Sequence, residues 1–202
     1  MNAPRILKDE NYTFSKYFDL PYRTSDILAD LGCTFARSSL LLPVSSKEIA
    51  GLDNLKTTIA RNLRRVLSVT ETSKREAIVS PILIGVCEEV DALLDIEYPI
   101  SVSNWLKGTL DYLVIKSGSL LVTEAKQSDL DRGFTQLAVE LIALDRWIDS
   151  DSKVLYGAVT TGDSWRFGTY DRAEKLITQD IKLYRVPEGL EDLVKVLIGI
   201  LD

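Results

Sequence analysis

The segment from Gly108 to Lys126, GTLDYLVIKSGSLLVTEAK, constrains the fold of this chain more than any other. Two apolar-rich runs flank Lys116-Ser117-Gly118-Ser119. Gly118 supplies the positive φ that a tight hairpin turn needs. A turn centred on Ser117-Gly118 sets Ile115 opposite Leu120, Leu113 opposite Val122 and Asp111 opposite Glu124. The two carboxylates then leave the same face of the hairpin. Lys126 lies two residues beyond Glu124 and shares that face. Directly opposed like charges destabilise a hairpin, so a cation must offset them. Lys126 is one candidate. A hard divalent ion such as Mg²⁺ is the other, held by one or two carboxylates and keeping waters that a phosphate can displace. The competing reading is an ordinary solvated sheet face carrying a surface ion-pair cluster.

The neighbouring sequence sets that hairpin in an α/β order. Residues 24–31 read as a short helix capped by Thr24 or Ser25 and stopped at Gly32. Residues 34–42 read as a strand ending at Pro43. Ser45 and Glu48 form a capping box. After it Ile49, Leu52, Leu55, Ile59, Leu63, Val66 and Leu67 recur at helical spacing to about residue 68, with Arg61, Arg64 and Arg65 on the outer side. A helix over 73–89 contains Pro81, which should kink or divide it. A strand follows at 93–102, where Pro99 argues for an edge position or a bend. Beyond the hairpin, a helix over 129–149 carries Leu130, Phe134, Leu137, Leu141, Leu144 and Ile148 as its apolar stripe. Strands at 153–161 and 164–170 turn through Gly162-Asp163. A helix near 171–178, a short strand near 182–186 and a helix at 189–201 complete the pattern. Helices interleaved with strands in this order predict an α/β fold with a mixed sheet flanked by helices. The expected organisation is a single compact domain, with residues 1–70 an N-terminal helical and strand elaboration on a core of residues 71–202.

Composition narrows the chemistry. None of the 202 residues is histidine. Ser-His-Asp and Cys-His catalysis and His-ligated zinc are therefore excluded. Cys33 and Cys87 stand far apart among apolar neighbours and read as small buried hydrophobes in a reducing, cytoplasmic setting. Residues 1–14 contain no apolar core of a signal peptide, and no apolar run approaches a membrane span. The net charge of −6 argues against strong unaided binding to DNA, although a carboxylate-rich metal site itself inflates the acidic count.

Asp111, then Glu124-Ala125-Lys126 at the end of the next strand, then a long helix, resembles the PD-(D/E)xK restriction-endonuclease-like nucleases. Flanking features agree: Glu76 in the helix REAIVSPIL, Glu97-Tyr98-Pro99-Ile100 in the first core strand, and Gln136 in the helix after the hairpin. The combination is most similar to the N-terminal nuclease domain of type I restriction enzyme R subunits and their stand-alone relatives, over about residues 73–160. The resemblance implies a restriction-endonuclease-like core and Mg²⁺- or Mn²⁺-dependent cleavage of DNA. Asp111 and Glu124 would hold the metal, with Glu76 completing the shell or holding a water. Lys126 would position or deprotonate the attacking water and stabilise phosphate charge, and Gln136 would orient the site. Some relatives place tyrosine four residues after that glutamine; here the position is Glu140, which adds a negative charge to the same helix face or serves as a further metal ligand. Each flanking residue also has a plain structural role open to it. Glu76 completes a capping box with Ser73, Gln136 sits on a helix surface, and the arginines at 61, 64 and 65 are a solvated face. Trp105, Trp147 and Trp165 read as packing. Three functions follow for comparison: a nuclease, a catalytically silent module of a larger assembly, and a homodimeric scaffold. No DNA-reading domain is visible, so a nuclease would draw specificity from a partner subunit, a homodimer or DNA structure.

Overall fold

The computed structural model describes residues 5–6, 10–67, 70–126 and 128–202. The first residues of the chain and the helix end expected near residue 68 lie outside the described residues. Eight strands form one mixed sheet: β1 Thr34–Ser38, β2 Leu93–Ser101, β3 Lys107–Lys116, β4 Ser119–Ala125, β5 Val154–Thr160, β6 Ser164–Asp171, β7 Leu176–Asp180 and β8 Tyr184–Arg185. Their order is β1-β7-β6-β5-β4-β3-β2, with β8 beside β6. The β1–β7 and β4–β5 pairs are parallel and the others antiparallel. Helices cover both faces, so the expected mixed α/β architecture is present. Among the described residues no helix is long and apolar enough to cross a membrane.

The alternation of side chains across β3 and β4 builds two cores. Tyr112, Val114, Leu121 and Ala125 face one layer. That layer contains α3 Leu52–Arg65, α5 Ser80–Val90 and α7 Leu190–Leu201. Leu113, Leu120 and Val122 face the other layer. There α6 Leu130–Trp147 lies under α1 Phe14–Asp19 and α2 Thr24–Asp30. Residues Gly133 to Leu144 of α6 are buried without a break, because the N-terminal helices cover the side that the sheet leaves open. Gln136 and Glu140 are therefore interior residues. The expected apolar stripe describes only the side of α6 that meets the sheet.

The hairpin register is the expected one from the turn to Tyr112–Thr123, but the expected Asp111–Glu124 pair is not part of the ladder. Leu113 pairs with Val122 and Ile115 with Leu120, and Ser117 and Gly118 both take positive φ, at 43° and 95°. Strand β2 is a sheet edge, as Pro99 requires. Several local expectations are corrected. Residues 172–175 form a turn and 176–180 a strand, where a helix was expected. Asp171 accepts the amide of Glu174 at 3.0 Å and Lys175 has φ 50°, which closes a β6–β7 hairpin. Strand β1 stops at Ser38, short of the expected end before Pro43. Helix α3 begins at Leu52, and its free amides at Ala50 and Gly51 donate to the Glu89 carboxylate of α5. Ser45 instead accepts the amide of Lys47. Only Leu55 and Ile59 of α3 are buried, while Leu63, Val66 and Leu67 are exposed. Thr24 does not cap α2; its hydroxyl lies 2.7 Å from that of Thr135 in α6.

The region around Pro81 is resolved by a change of helical pitch. The short helix α4 Glu71–Lys74 runs into a π turn over Arg75–Val79 and then into α5. Proline cannot donate to the carbonyl of Ala77, four residues earlier. Asn62 of α3 donates its side-chain amide to that carbonyl at 2.9 Å. The helix therefore continues through Pro81. Thr70, not Ser73, caps its start, accepting the Ser73 amide at 3.2 Å.

Candidate functional site

The candidate site lies where β4 ends and α6 begins. Asp111 interrupts the sheet on both sides. The β2–β3 ladder passes from Ile96–Tyr112 to Tyr98–Leu110 without pairing Glu97, whose φ is 58°. The β3–β4 ladder starts one residue later, at Tyr112–Thr123. The Asp111 side chain occupies this gap. Its Oδ2 accepts the amide of Ala125 at 2.8 Å, and its Oδ1 lies 3.3 Å from Arg75 Nη1. Arg75 also reaches Glu97 at 3.6 Å and stacks over the Tyr112 ring. A carboxylate with a ladder amide and a guanidinium is already well paired.

The inner part of the site is different. Glu124 is 1 % exposed and Glu140 is fully buried. The side-chain amide of Gln136 donates to both, at 2.6 Å to Glu124 Oε1 and 2.8 Å to Glu140 Oε1. Lys126 Nζ lies 2.5 Å from Glu124 Oε1. The second oxygen of each carboxyl group, and Gln136 Oε1, have no hydrogen-bond partner. Such orphaned buried oxygens are costly unless something satisfies them.

Charge follows from this geometry. Burial holds the Glu124 carboxyl well above the usual range; the Glu140 and Asp111 charges push the same way, and Lys126 opposes them. Burial also pushes Glu140 up to about 7, with Gln136 opposing and Asp111 adding to the rise. Burial works against the charged form of Lys126, but its carboxylate neighbours, Glu124 foremost, outweigh it and raise its pKa. Lys126 therefore stays protonated. It is suited to stabilising charge and unsuited to taking a proton from water. Its ammonium sits over the Phe18 ring, and Lys126, Phe18, Asp19 and Glu71 line a cleft of about 290 Å³.

Of the expected site residues, the structure joins Glu124, Lys126 and Gln136 by direct contact and sets Asp111 close enough for its charge to act on them. Glu76 is exposed, and no contact described for it joins it to Asp111 or Glu124. Its neighbour Arg75 makes the contact to Asp111 instead. Glu140, which the sequence offers only as an added charge on the Gln136 face or a further ligand, is a full member of the buried cluster. The signal was the four-residue step from Gln136, which stacks the two side chains on one helix face.

Among the described residues no three acidic or other ligating side chains converge into a ready metal cage. The donor set is instead two carboxyl groups and an amide oxygen, each with an unpartnered oxygen. All are hard donors. Oxygen donors of this kind match a hard divalent cation rather than a soft or histidine-seeking one. No family model, curated protein or solved structure matches this chain.

Proposed function

We propose that the chain is a metal-dependent phosphodiesterase with a restriction-endonuclease-like core, acting on DNA. The observation that carries this reading is the buried Glu124–Gln136–Glu140 cluster, with three unpartnered oxygens beside a protonated Lys126 at the edge of a cleft. Glu124 and Glu140 would hold the ion with Gln136, and Asp111 would join them once released from Arg75. A bound divalent ion polarises a phosphate and lowers the pKa of its water. Lys126 places a fixed positive charge where negative charge grows on the phosphate. Gln136 fixes the orientation of both carboxyl groups. The covered side of α6 keeps bulk water from the inner cluster.

A specific observation favours a second reading. The Arg75–Asp111 pair and the short Lys126–Glu124 contact close the site on itself. A catalytically silent module within a larger assembly would look this way. Incubation of the purified protein with single-stranded, duplex and branched DNA and Mg²⁺ or Mn²⁺ separates the two. The nuclease reading expects metal-dependent cleavage that falls roughly 10²–10³-fold in Lys126→Ala, and a comparable loss in Asp111→Ala. No cleavage under any condition supports the silent module, whereas full cleavage by Lys126→Ala removes Lys126 from the catalytic site.

A further inference from the structure

A second cleft, of about 440 Å³, opens between α2, β1 and the first turn of α6. Its charged lining is Arg23, Arg37 and Arg132 against a single acid, Asp131. Asp131 already serves two arginines, at 3.0 Å from Arg37 and 2.7 Å from Arg166. Arg166 reaches Asp131 from β6, and its Nε is buried without a partner. Arg132 pairs with Asp129 at 3.4 Å, so Arg23, Arg37, Arg132 and Arg166 meet two carboxylates; in a chain of net charge −6 this is a local excess of guanidinium, the side chain best matched to phosphate. Tyr22 stands 45 % exposed at the rim, and Phe35 lines the wall.

The position of this cleft is as informative as its charge. The carboxyl ends of β4, β5, β7 and β1 and the start of β6 share one edge of the sheet. Arg166 follows Trp165, which faces the opposite core, so it points to the α6 side. Gln136 and Lys126 lie at that same edge and face. Gly133 connects the two regions. A side chain there would meet Lys126 Cγ at 3.0 Å, and Arg132 precedes it on the cleft. The arginine cleft and Lys126 therefore meet the same first turn of α6.

We infer that this cleft is the docking groove for a single nucleic-acid strand, leading its phosphates toward Lys126. The inference rests on the nuclease reading for its direction but not for its binding. Arginines would take the phosphates, and Tyr22 offers a stacking face to an unpaired base. Duplex DNA presents no free base to Tyr22.

The test is fluorescence anisotropy of a labelled oligothymidine strand with the full chain in EDTA at low salt, where no cleavage occurs. The groove predicts binding that weakens at least about tenfold in Arg37→Glu/Arg132→Glu, with a shallower salt dependence. It predicts a loss of about fivefold or more in Tyr22→Ala. Thermal melting checks that these surface variants remain folded; if the double charge reversal unfolds the chain, Arg37→Gln/Arg132→Gln replaces it. Equal binding by wild type and the charge variants, or no binding by wild type, overturns the groove. Tight duplex binding that ignores Tyr22→Ala overturns the single-strand assignment. Strand binding that depends on the groove, with no cleavage in any metal, leaves the groove standing and removes the nuclease reading alone.

Discussion

The two acidic strand residues brought together by the hairpin meet opposite environments. Asp111 is satisfied: a ladder amide and Arg75 take its oxygens. Glu124, on the adjacent strand, is buried with one oxygen unpartnered and a second carboxyl group, Glu140, held against it by Gln136. The difference comes from what covers each. Arg75, from the turn before α5, meets Asp111 where the ladders on both sides of β3 are interrupted. Glu124 points under α6, which is itself sealed by α1 and α2. A carboxylate at a gap in the ladder can recruit a cation from the chain, whereas one under a buried helix must share Lys126 or hold a proton.

The inner pair should respond most to perturbation. Lys126→Ala leaves two buried carboxyl groups without their cation. At pH 8 it is expected to destabilise the fold by about 3 kcal/mol, with a smaller loss at pH 5 where protonation neutralises the pair. Thermal melting at both pH values checks this; an equal loss at both would show that Lys126 contributes packing, not charge. Glu140→Gln tests the same cluster from the opposite direction. A carboxyl group whose folded pKa is raised from 4.5 to about 7 favours the folded state most below about 4.5. That advantage is lost as pH rises toward 7. The variant should therefore raise the melting temperature at pH 8 and flatten the decline between pH 5 and 7. An unchanged pH profile would mean that Glu140 does not carry the proton.

The outer pair should respond less in stability and more in ligand binding. Arg75→Ala frees Asp111 at a half-buried position. It is expected to tighten Mn²⁺ binding by calorimetry by about tenfold, the order set by removing one nearby cation, and to cost on the order of 1 kcal/mol of stability. Weaker Mn²⁺ binding would mean that Arg75 supports the site instead of closing it. Glu76→Gln should have the smallest effect, changing Mn²⁺ affinity by less than about twofold, because an exposed carboxylate that contacts neither Asp111 nor Glu124 adds little. A larger loss would restore Glu76 to the ligand shell implied by the resemblance.

Legibility in the sequence followed the range of the forces involved. The hairpin register was readable because a two-residue turn and a period of two fix the partners from one glycine as far as Tyr112–Thr123, beyond which Asp111 leaves the ladder. The edge position of β2 followed from Pro99 for an equally local reason. The caps at Thr24, Ser45 and Ser73 were misplaced because helix ends accept any geometrically suitable partner. Glu89 reaches α3 from α5, and Thr24 turns to Thr135 across α2 and α6. The sequence DRAEKLITQD has helical composition, yet pairing with β6 and β1 outweighs that propensity for residues 176–180.

By itself the sequence determined the mixed α/β order, the absence of histidine chemistry and the presence of Asp111, Glu124 and Lys126 at one end of a hairpin. Only the tertiary structure decided which carboxyl groups share that end. Glu140 lies outside the apolar stripe that the sequence shows for this helix. It becomes interior because α1 and α2 lie on the far side of α6. That covering is a long-range packing event, and no local period in α6 records it.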